Sequence, residues 1–446
     1  MRFLYHLFRL SYKLQQWMLK RFTPAGLAIL ICLMITLIVG IDTKQTTTYQ
    51  ILTFLIAILT IAVAFSFYFP GRFTIQRSLP RFATVGTKLS YRVTIANNSK
   101  RIQTGLLFIE EIAHPKFSLA QFKQIIKAAS KKGSFHSLIY IYYRWQKSIS
   151  RQKKARTKAI AVPNIKPQST IEIKGQITPT HRGVVRLKGV TILRPDPFNL
   201  FNATKTIGQP QSILILPKRY QIPTIELPGS RRSQSGSMSL VASKGDSEEF
   251  IALRDYRPGD PLRKIHWKSW AKTGKPIVKV EQSEFYVRQA LVLDTFQSAS
   301  HSEILEEAIA VAASFACDFQ TQESLLNLMF VGLDSYSFPS DRGFDNSEQM
   351  LEILAGVTPC QDACDRLTAV VSQKASMLSG CICILISWDE QRQKLINYLQ
   401  KLNIPLLILL ITDDEQQYRD LNIENLYILP LGKIQAALMT INTKHY

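Results

Sequence analysis

The sequence predicts a membrane-anchored multidomain chain: two transmembrane helices, an Ig-like β-sandwich with a helical insertion, and a Rossmann-like α/β domain. Three observations predict it. Residues 24–41 and 51–69 are apolar runs without a charged side chain, each near the roughly 20 residues that cross a bilayer. Stretches of apolar/polar alternation separated by turn residues occupy 73–111 and 169–193, as in a sandwich of short strands. From Val287 onward, strand-like and helix-like segments alternate, which implies a mostly parallel sheet covered on both faces.

At 446 residues the chain has room for two or three domains. A net charge of +22 points to an anionic partner, either nucleic acid or a membrane surface. Six cysteines in this length do not make a secreted disulfide framework.

Residues 1–23 form an amphipathic segment, with Arg2, His6, Arg9, Lys13, Gln16 and Lys20 recurring at helical spacing. Phe3, Leu7, Leu10, Leu14, Trp17 and Met18 fall mostly on the other side. Such a helix rests in the headgroup layer of an anionic membrane or serves as a plain flank to a span. Residues 24–70 then read as a two-helix hairpin. Its connector carries only Asp42 and Lys44, whereas Arg9, Lys13, Lys20 and Arg21 precede it and Arg72, Arg77, Arg81 and Lys88 follow. Positive flanks place both ends, and everything from Gly71 onward, in the cytosol.

Residues 71–227 are assigned to the sandwich, interrupted at about 115–160 by a basic insertion. No acidic residue occurs from Ile112 to Ile171, and Phe117, Phe122, Phe135, Tyr140, Tyr142, Tyr143 and Trp145 are interleaved with the cations. That mixture serves nucleic acid, an anionic lipid surface, or no partner at all. Tethering to a bilayer favours lipid over nucleic acid. Residues 228–247 are Ser/Gly-rich and read as a linker.

Residues 248–286 hold the densest chemistry: Arg254, Tyr256, Gly259, Asp260, Arg263, Trp267 and Lys272 within a short charged turn. Pro258-Gly259-Asp260-Pro261 is turn chemistry, and Asp260 is expected to cap a helical turn starting at Pro261. Ile265 and Trp267 are expected to anchor the turn by burial. These residues are proposed as a docking and hinge element.

Residues 287–446 are the α/β domain. The pattern predicts strands at Ala290–Asp294, Leu325–Val331, Cys381–Ser387, Pro405–Ile411 and Leu426–Leu429. Helices are predicted at Ile304–Phe319, Ser347–Leu354, Asp362–Met377, Glu390–Leu402 and from Lys433.

Glu249-Phe250, Leu253-Arg254, Tyr256, Pro258-Gly259-Asp260, Arg263, Ile265, Trp267-Lys268, Ala271 and Thr273 together resemble the signature of the domain-of-unknown-function 58 family. Lys272 stands where Arg is usual and Trp270 where a small residue is common. Pro179–Gly183 with Asp196-Pro197-Phe198-Asn199-Leu200-Phe201 resembles that family's second signature, with Asn199 in a Gly position. The resemblance implies a bacterial inner-membrane protein with cytosolic soluble domains. It also implies a MoxR-type AAA+ ATPase as partner, a membrane transglutaminase-like protein encoded nearby, and a von Willebrand factor type A-like domain after Val287.

Type A domains hold Mg²⁺ through an Asp-x-Ser-x-Ser loop, and hard oxygen ligands suit that ion. This chain has Asp294-Thr295-Phe296-Gln297-Ser298, so Asp294 and Ser298 remain but Phe296 supplies no oxygen. The site is read as degenerate and no cofactor is expected. Cys360, Cys364, Cys381 and Cys383 lack the spacing of a zinc site and read as core. Asp255, Asp260 and His266 could be drawn as a hydrolytic site, but no nucleophile with an adjacent base accompanies them in the sequence. The expected function is therefore a non-catalytic, membrane-anchored adaptor or assembly factor. The alternatives are a membrane-tethered hydrolase and a nucleic-acid binder.

Overall fold

The computed structural model describes residues 2–39, 46–113, 119, 122–123, 126, 136–223, 248–260, 262–283, 287–297, 302–318, 324–331, 335–338, 345–360, 365–375, 378–418, 421 and 423–441. The 228–247 linker, the 40–45 connector, most of 114–135, Pro261, Ser298 and Cys364 therefore lie outside the described residues. The chain divides into two compact units, Met1–Leu216 and Pro217–Tyr446.

The first unit opens with α1 (Arg2–Arg21), α2 (Pro24–Val39) and α3 (Thr46–Phe67). Thr23 starts α2: its Oγ1 accepts from the Gly26 N–H at 3.1 Å, and Pro24 occupies the first helical position. Within α3, the 21 residues Thr47–Phe67 are apolar and long enough to cross a bilayer. The described part of α2 covers 16 residues, roughly 24 Å at 1.5 Å per residue against a hydrocarbon core of roughly 30 Å, and the apolar run continues in the sequence to Ile41. Among the described residues, one helix of spanning length is packed against a shorter apolar one.

There follow β1 (Phe73–Ser78), β2 (Phe82–Thr84), β3 (Leu89–Asn97), β4 (Leu106–Ile112) and α4 (His136–Gln152). Then come β5 (Ala155–Thr157), β6 (Ile160–Val162), β7 (Thr170–Pro179), β8 (Gly183–Pro195) and β9 (Asn202–Leu216). One sheet has the order β1-β3-β7-β5 and the other β2-β9-β8-β4-β6, with only the short β2–β9 pair parallel. Alternation decides which side chains face inward: Ile75, Val93 and Ile95 from one sheet share a core with Phe108, Ile192, Ile213 and Ile215 from the other.

Inside that core lies a polar tie. Arg77 is ion-paired with Glu110, and Glu110 Oε2 accepts from the Tyr91 hydroxyl at 2.6 Å. Burial lifts the Glu110 carboxyl above its ordinary range, against the pull of Tyr91 and Arg77. The Tyr91 phenol is pushed up by burial and then by Glu110. Arg77 was counted above among the exposed cations flanking the second apolar run. Its β1 position faces the core, so it contributes nothing to that flank.

The basic insertion is not simply a solvated addition. Ile141, Trp145 and Ile149 of α4 bury against Phe8 of α1 and Phe122, with Phe8 edge-on to Phe122 and Tyr142 at 5.7 and 5.2 Å. The second signature also has a structural role. Asp196 Oδ1 accepts from the N–H groups of Leu200 and Phe201, its Oδ2 accepts from that of Phe198, and Asn199 takes φ 55° as expected. The carbonyl of Leu200 then accepts from the Thr23 N–H at 3.1 Å. A Cβ on Gly26 would stand 2.0 Å from that same oxygen. The signature thus clips the start of α2 to the double-sheet body.

In the second unit, Pro217–Gln221 is strapped down: Tyr220 donates to Glu307 Oε2 at 2.5 Å, and its N–H to Ser314 Oγ at 2.7 Å. Strands β10 (Glu248–Asp255) and β11 (Ile277–Ser283) pair antiparallel, and their connection carries a 3₁₀ turn, Leu262–Lys264, and α5 (Trp267–Thr273). The remaining elements are β12 (Val287–Leu293), α6 (Glu303–Asp318), β13 (Ser324–Val331), β14 (Ser335–Phe338), α7 (Asp345–Gly356) and α8 (Asp365–Lys374). The chain finishes with β15 (Gly380–Leu385), α9 (Glu390–Lys401), β16 (Leu406–Thr412), β17 (Leu426–Pro430) and α10 (Ile434–Met439). They build a six-stranded sheet of order β14-β13-β12-β15-β16-β17, parallel except for β14. Helices cover the sheet as the alternation implied, while the antiparallel edge strand β14 was not foreseen.

Candidate functional site

In an open α/β sheet the chemistry gathers beyond the carboxyl ends of the strands, where the strand order reverses. Here that point lies between β12 and β15. Asp294 follows β12 directly and is fully buried. Its Oδ1 accepts from Phe296 N–H at 3.0 Å and Arg392 Nη2 at 3.1 Å, and its Oδ2 from Ile386 N–H at 3.2 Å and Arg392 Nε at 2.6 Å. Burial pushes the Asp294 carboxyl above the usual carboxylate range, against the pull of Arg392 and those two N–H groups. Arg392 also donates from Nη2 to the Phe296 carbonyl at 2.9 Å and from Nη1 to Asp389. Asp389 in turn caps α9, its Oδ1 accepting from Arg392 N–H at 3.0 Å.

A cation does sit against Asp294, but it is a guanidinium. The divalent ion that the type A resemblance implies does not fit these residues. Both Asp294 oxygens are engaged, the Phe296 ring lies in the core, and the loop is pinned by Gln297 N–H to Cys360 carbonyl and Cys360 N–H to Thr295 carbonyl bonds of 3.0 and 2.9 Å. Adding Mg²⁺ to the full chain is therefore expected to leave its melting temperature unchanged. A ligand at a hundred times its Kd would add about 2.7 kcal/mol, so a clear upward shift abolished by Asp294→Ala would overturn this. Sequence reasoning missed Arg392, yet a signal existed. It occupies a core position on α9 with Leu395, Ile396 and Leu399, all buried, and a charged side chain on such a stripe needs a buried partner.

Cys381 and Cys383 lie on the core face of β15, their sulfurs 3.6 Å apart, and Cys360 joins the same cluster. Among the described residues no three His, Cys, Asp or Glu side chains converge as a metal site would need.

The second candidate is the signature turn. Arg254 forks onto Asp260, with Nη1 to Oδ2 at 2.7 Å and Nη2 to Oδ1 at 2.6 Å. Asp260 also accepts from the backbone N–H of Arg257 at 2.9 Å. That corrects the expected cap: Asp260 closes the turn behind it rather than starting the helical turn ahead. Gly259 has φ 105°, a conformation closed to most residues. Tyr256 N–H donates to the Pro276 carbonyl at 2.9 Å, and Ile265 bridges to Val278 and is buried.

Trp267 is the larger correction. It is 63% exposed and stacked on Trp270 with ring centroids 5.2 Å apart, so it displays an indole instead of anchoring one. Arg263 and Lys272 are exposed as well and join no contact with Asp260. His266 Nδ1 lies 2.6 Å from Ser269 Oγ, which corrects the expectation that no hydroxyl has an adjacent base. The contact closes the first turn of α5, since Ser269 N–H also donates to the His266 carbonyl. Asp260 is not the partner of His266, because both its carboxylate oxygens accept from Arg254. The Arg254 guanidinium, then the Arg257 N–H, hold the Asp260 carboxyl below its usual value of 3.8. Its contribution is therefore complete above that value and is lost as pH falls through the lowered one.

Residues 252–395 match the family model described as "Protein of unknown function DUF58", a span that takes in the signature turn, Asp294, Asp389 and Arg392. The resemblance read from the signature is borne out. The uncharacterized protein YeaD of Bacillus subtilis (strain 168) is 23% identical over 214 residues, 48% of this chain and 52% of that protein. The chain thus spans about half the length of this curated relative. Among solved structures, the CARDB domain of a Pyrococcus furiosus protein is 11% identical, covering 32% of this chain and 93% of its own, with a TM-score of 0.17. The β-glucosidase of Listeria innocua in complex with glucose is 12% identical over 33% of this chain and 16% of its own, with a TM-score of 0.18.

Proposed function

We propose, with the DUF58 match over residues 252–395 as the premise, that this chain is a membrane-anchored, non-catalytic adaptor or assembly factor for a MoxR-type AAA+ ATPase. In this reading α2 and α3 form a two-span hairpin in a bacterial inner membrane, and both soluble units face the cytosol. The double-sheet body is an Ig-like sandwich, and the second unit is a von Willebrand factor type A-like domain whose ion position has been taken over by Arg392. A transglutaminase-like membrane protein is a further partner.

The observation that carries the proposal is the presentation of Trp267. The exposed Trp267 indole, stacked on the half-buried Trp270, stands on a turn whose shape is pinned by the Arg254–Asp260 fork and flanked by Arg257, Arg263, Lys268 and Lys272. Exposed Trp and Arg on a rigid support are the usual centre of a protein interface. Arg392 favours the same reading, since it fills the crevice where a cofactor-using enzyme would keep a vacancy.

The test is kinetic. The purified full chain in detergent is expected to change nucleotide turnover by its ATPase, and unchanged turnover at saturating chain would sink the adaptor reading. Orientation is checked separately: a phosphatase fused after Tyr446 is expected to be inactive, and periplasmic activity there would refute the cytosolic placement.

A further inference from the structure

Helix α1 carries more apolar surface than its contacts use. One face, Leu4, Tyr5, Phe8 and Tyr12, is taken up by α4 and Phe122. Phe3, Leu7, Leu10, Leu14 and Trp17 lie elsewhere, between 49% and 79% exposed. Their spacing of four, three, four and three residues makes a single straight stripe. At about 100° per residue this stripe points roughly away from Phe8. Arg2, His6, Arg9 and Lys13 each precede a stripe residue by one position, so they run alongside it as a row of basic residues.

The helix is not free to roll and hide the stripe. Gln15 Oε1 accepts from Gln146 of α4 at 2.7 Å, Lys20 pairs with Glu111 at 2.6 Å, and Arg21 donates to the Asn202 carbonyl at 3.4 Å. Its last residue, Arg21, stands three positions before Pro24, where the apolar helix α2 begins with exposed Ile31, Met34, Ile35 and Ile38 further along.

We infer that the Phe3–Trp17 stripe is a lipid-facing surface that seats α1 in the headgroup layer of an anionic bilayer, with α4 clamped on its far side. The inference rests on the membrane anchorage proposed above. Two features favour lipid over another helix: the apolar helices α2 and α3 follow the stripe directly in the sequence, and α1 contains no acidic residue. A helical partner would be matched by charges of both signs beside the seam. An all-basic row fits anionic headgroups.

The full chain is reconstituted into vesicles of phosphatidylcholine and phosphatidylglycerol, with or without bromine on the upper acyl carbons. Subtracting the emission of Trp17→Phe isolates Trp17. Shallow bromine is expected to quench most of that share, and Leu7→Gln/Leu10→Gln/Leu14→Gln to restore it several-fold. Unquenched Trp17 in chain that still floats with the vesicles overturns the inference and leaves the anchor standing. A chain that does not float overturns the anchor itself. A stripe-dependent increase in particle mass in detergent, with Trp17 shielded from bromine, would assign the stripe to a helical partner and also overturn the lipid surface.

Discussion

Replacing Arg392 with Ala is expected to destabilise the second unit by about 3–5 kcal/mol, the cost of leaving one member of a buried ion pair uncompensated. Asp294 is fully buried and the Arg392 side chain only 5% exposed, so the truncation strands the carboxylate in the interior. The change also removes the hydrogen bond to the Phe296 carbonyl, which holds the loop after β12 against α9. The double variant Asp294→Leu/Arg392→Met should recover most of the loss, because a well-packed apolar pair can stand in for a buried ionic one. Melting of the detergent-solubilised chain, followed by the emission of the half-buried Trp388 after subtraction of a Trp388→Phe control, reads the effect. A loss below about 1 kcal/mol would mean that the pair is solvated and would remove the ground for saying that a divalent ion does not fit beside Asp294.

Glu110→Ala is expected to cost the first unit a similar amount, about 3–5 kcal/mol, by stranding Arg77 between two sheets. Tyr91→Phe should cost less, about 1.5–3 kcal/mol, since it removes one hydrogen bond to a charged acceptor and keeps the ring. The ring must stay because Gly175 packs on it: a Cβ there would lie 2.4 Å from the Tyr91 Cζ. Hydrogen exchange of the amides in β3 and β4 separates this loss from any change in the second unit. Equal melting of Glu110→Ala and the unaltered chain would show that the tie is not closed in solution.

Much of the architecture was legible in the sequence because burial repeats with a period. All six residues of β15 and all seven of β16 are buried, and both are near-continuous apolar runs. Strand β14 escaped because Ser335–Phe338 is four residues long and half polar, which leaves no pattern to count. Arg77 and Arg392 were misjudged or missed for one shared reason. Each needs a carboxylate that folding brings from far along the chain, Glu110 in one case and Asp294 in the other, and a charge pattern records no such partner. Helix α1 shows the same limit. Its two-faced reading turned into three faces once α4, more than a hundred residues later, claimed Phe8. At the signature turn the residue types pointed to an organised element. They could not say that Trp267 faces out while Ile265 faces in, since a turn imposes no periodicity on its side chains.

The affinity of the full chain for the MoxR-type ATPase proposed as its partner, measured on the unaltered protein and on Trp267→Ala, tests the adaptor reading most directly. Exposed as it is, Trp267 should cost about 1 kcal/mol or less of stability when truncated, chiefly the stacking on Trp270. As the centre of an interface it should cost more than 2 kcal/mol of binding, roughly thirtyfold in Kd. Asp260→Asn should bind with intermediate affinity, because an amide keeps an acceptor for the Arg257 N–H but loses the charged fork to Arg254. The expected result is Trp267→Ala folded and binding at least roughly thirtyfold more weakly than the unaltered chain. Trp267→Ala binding as tightly as the unaltered chain, with Asp260→Asn folded, fully partner-competent and yet inactive in cells, would contradict the adaptor and point to catalysis at the turn.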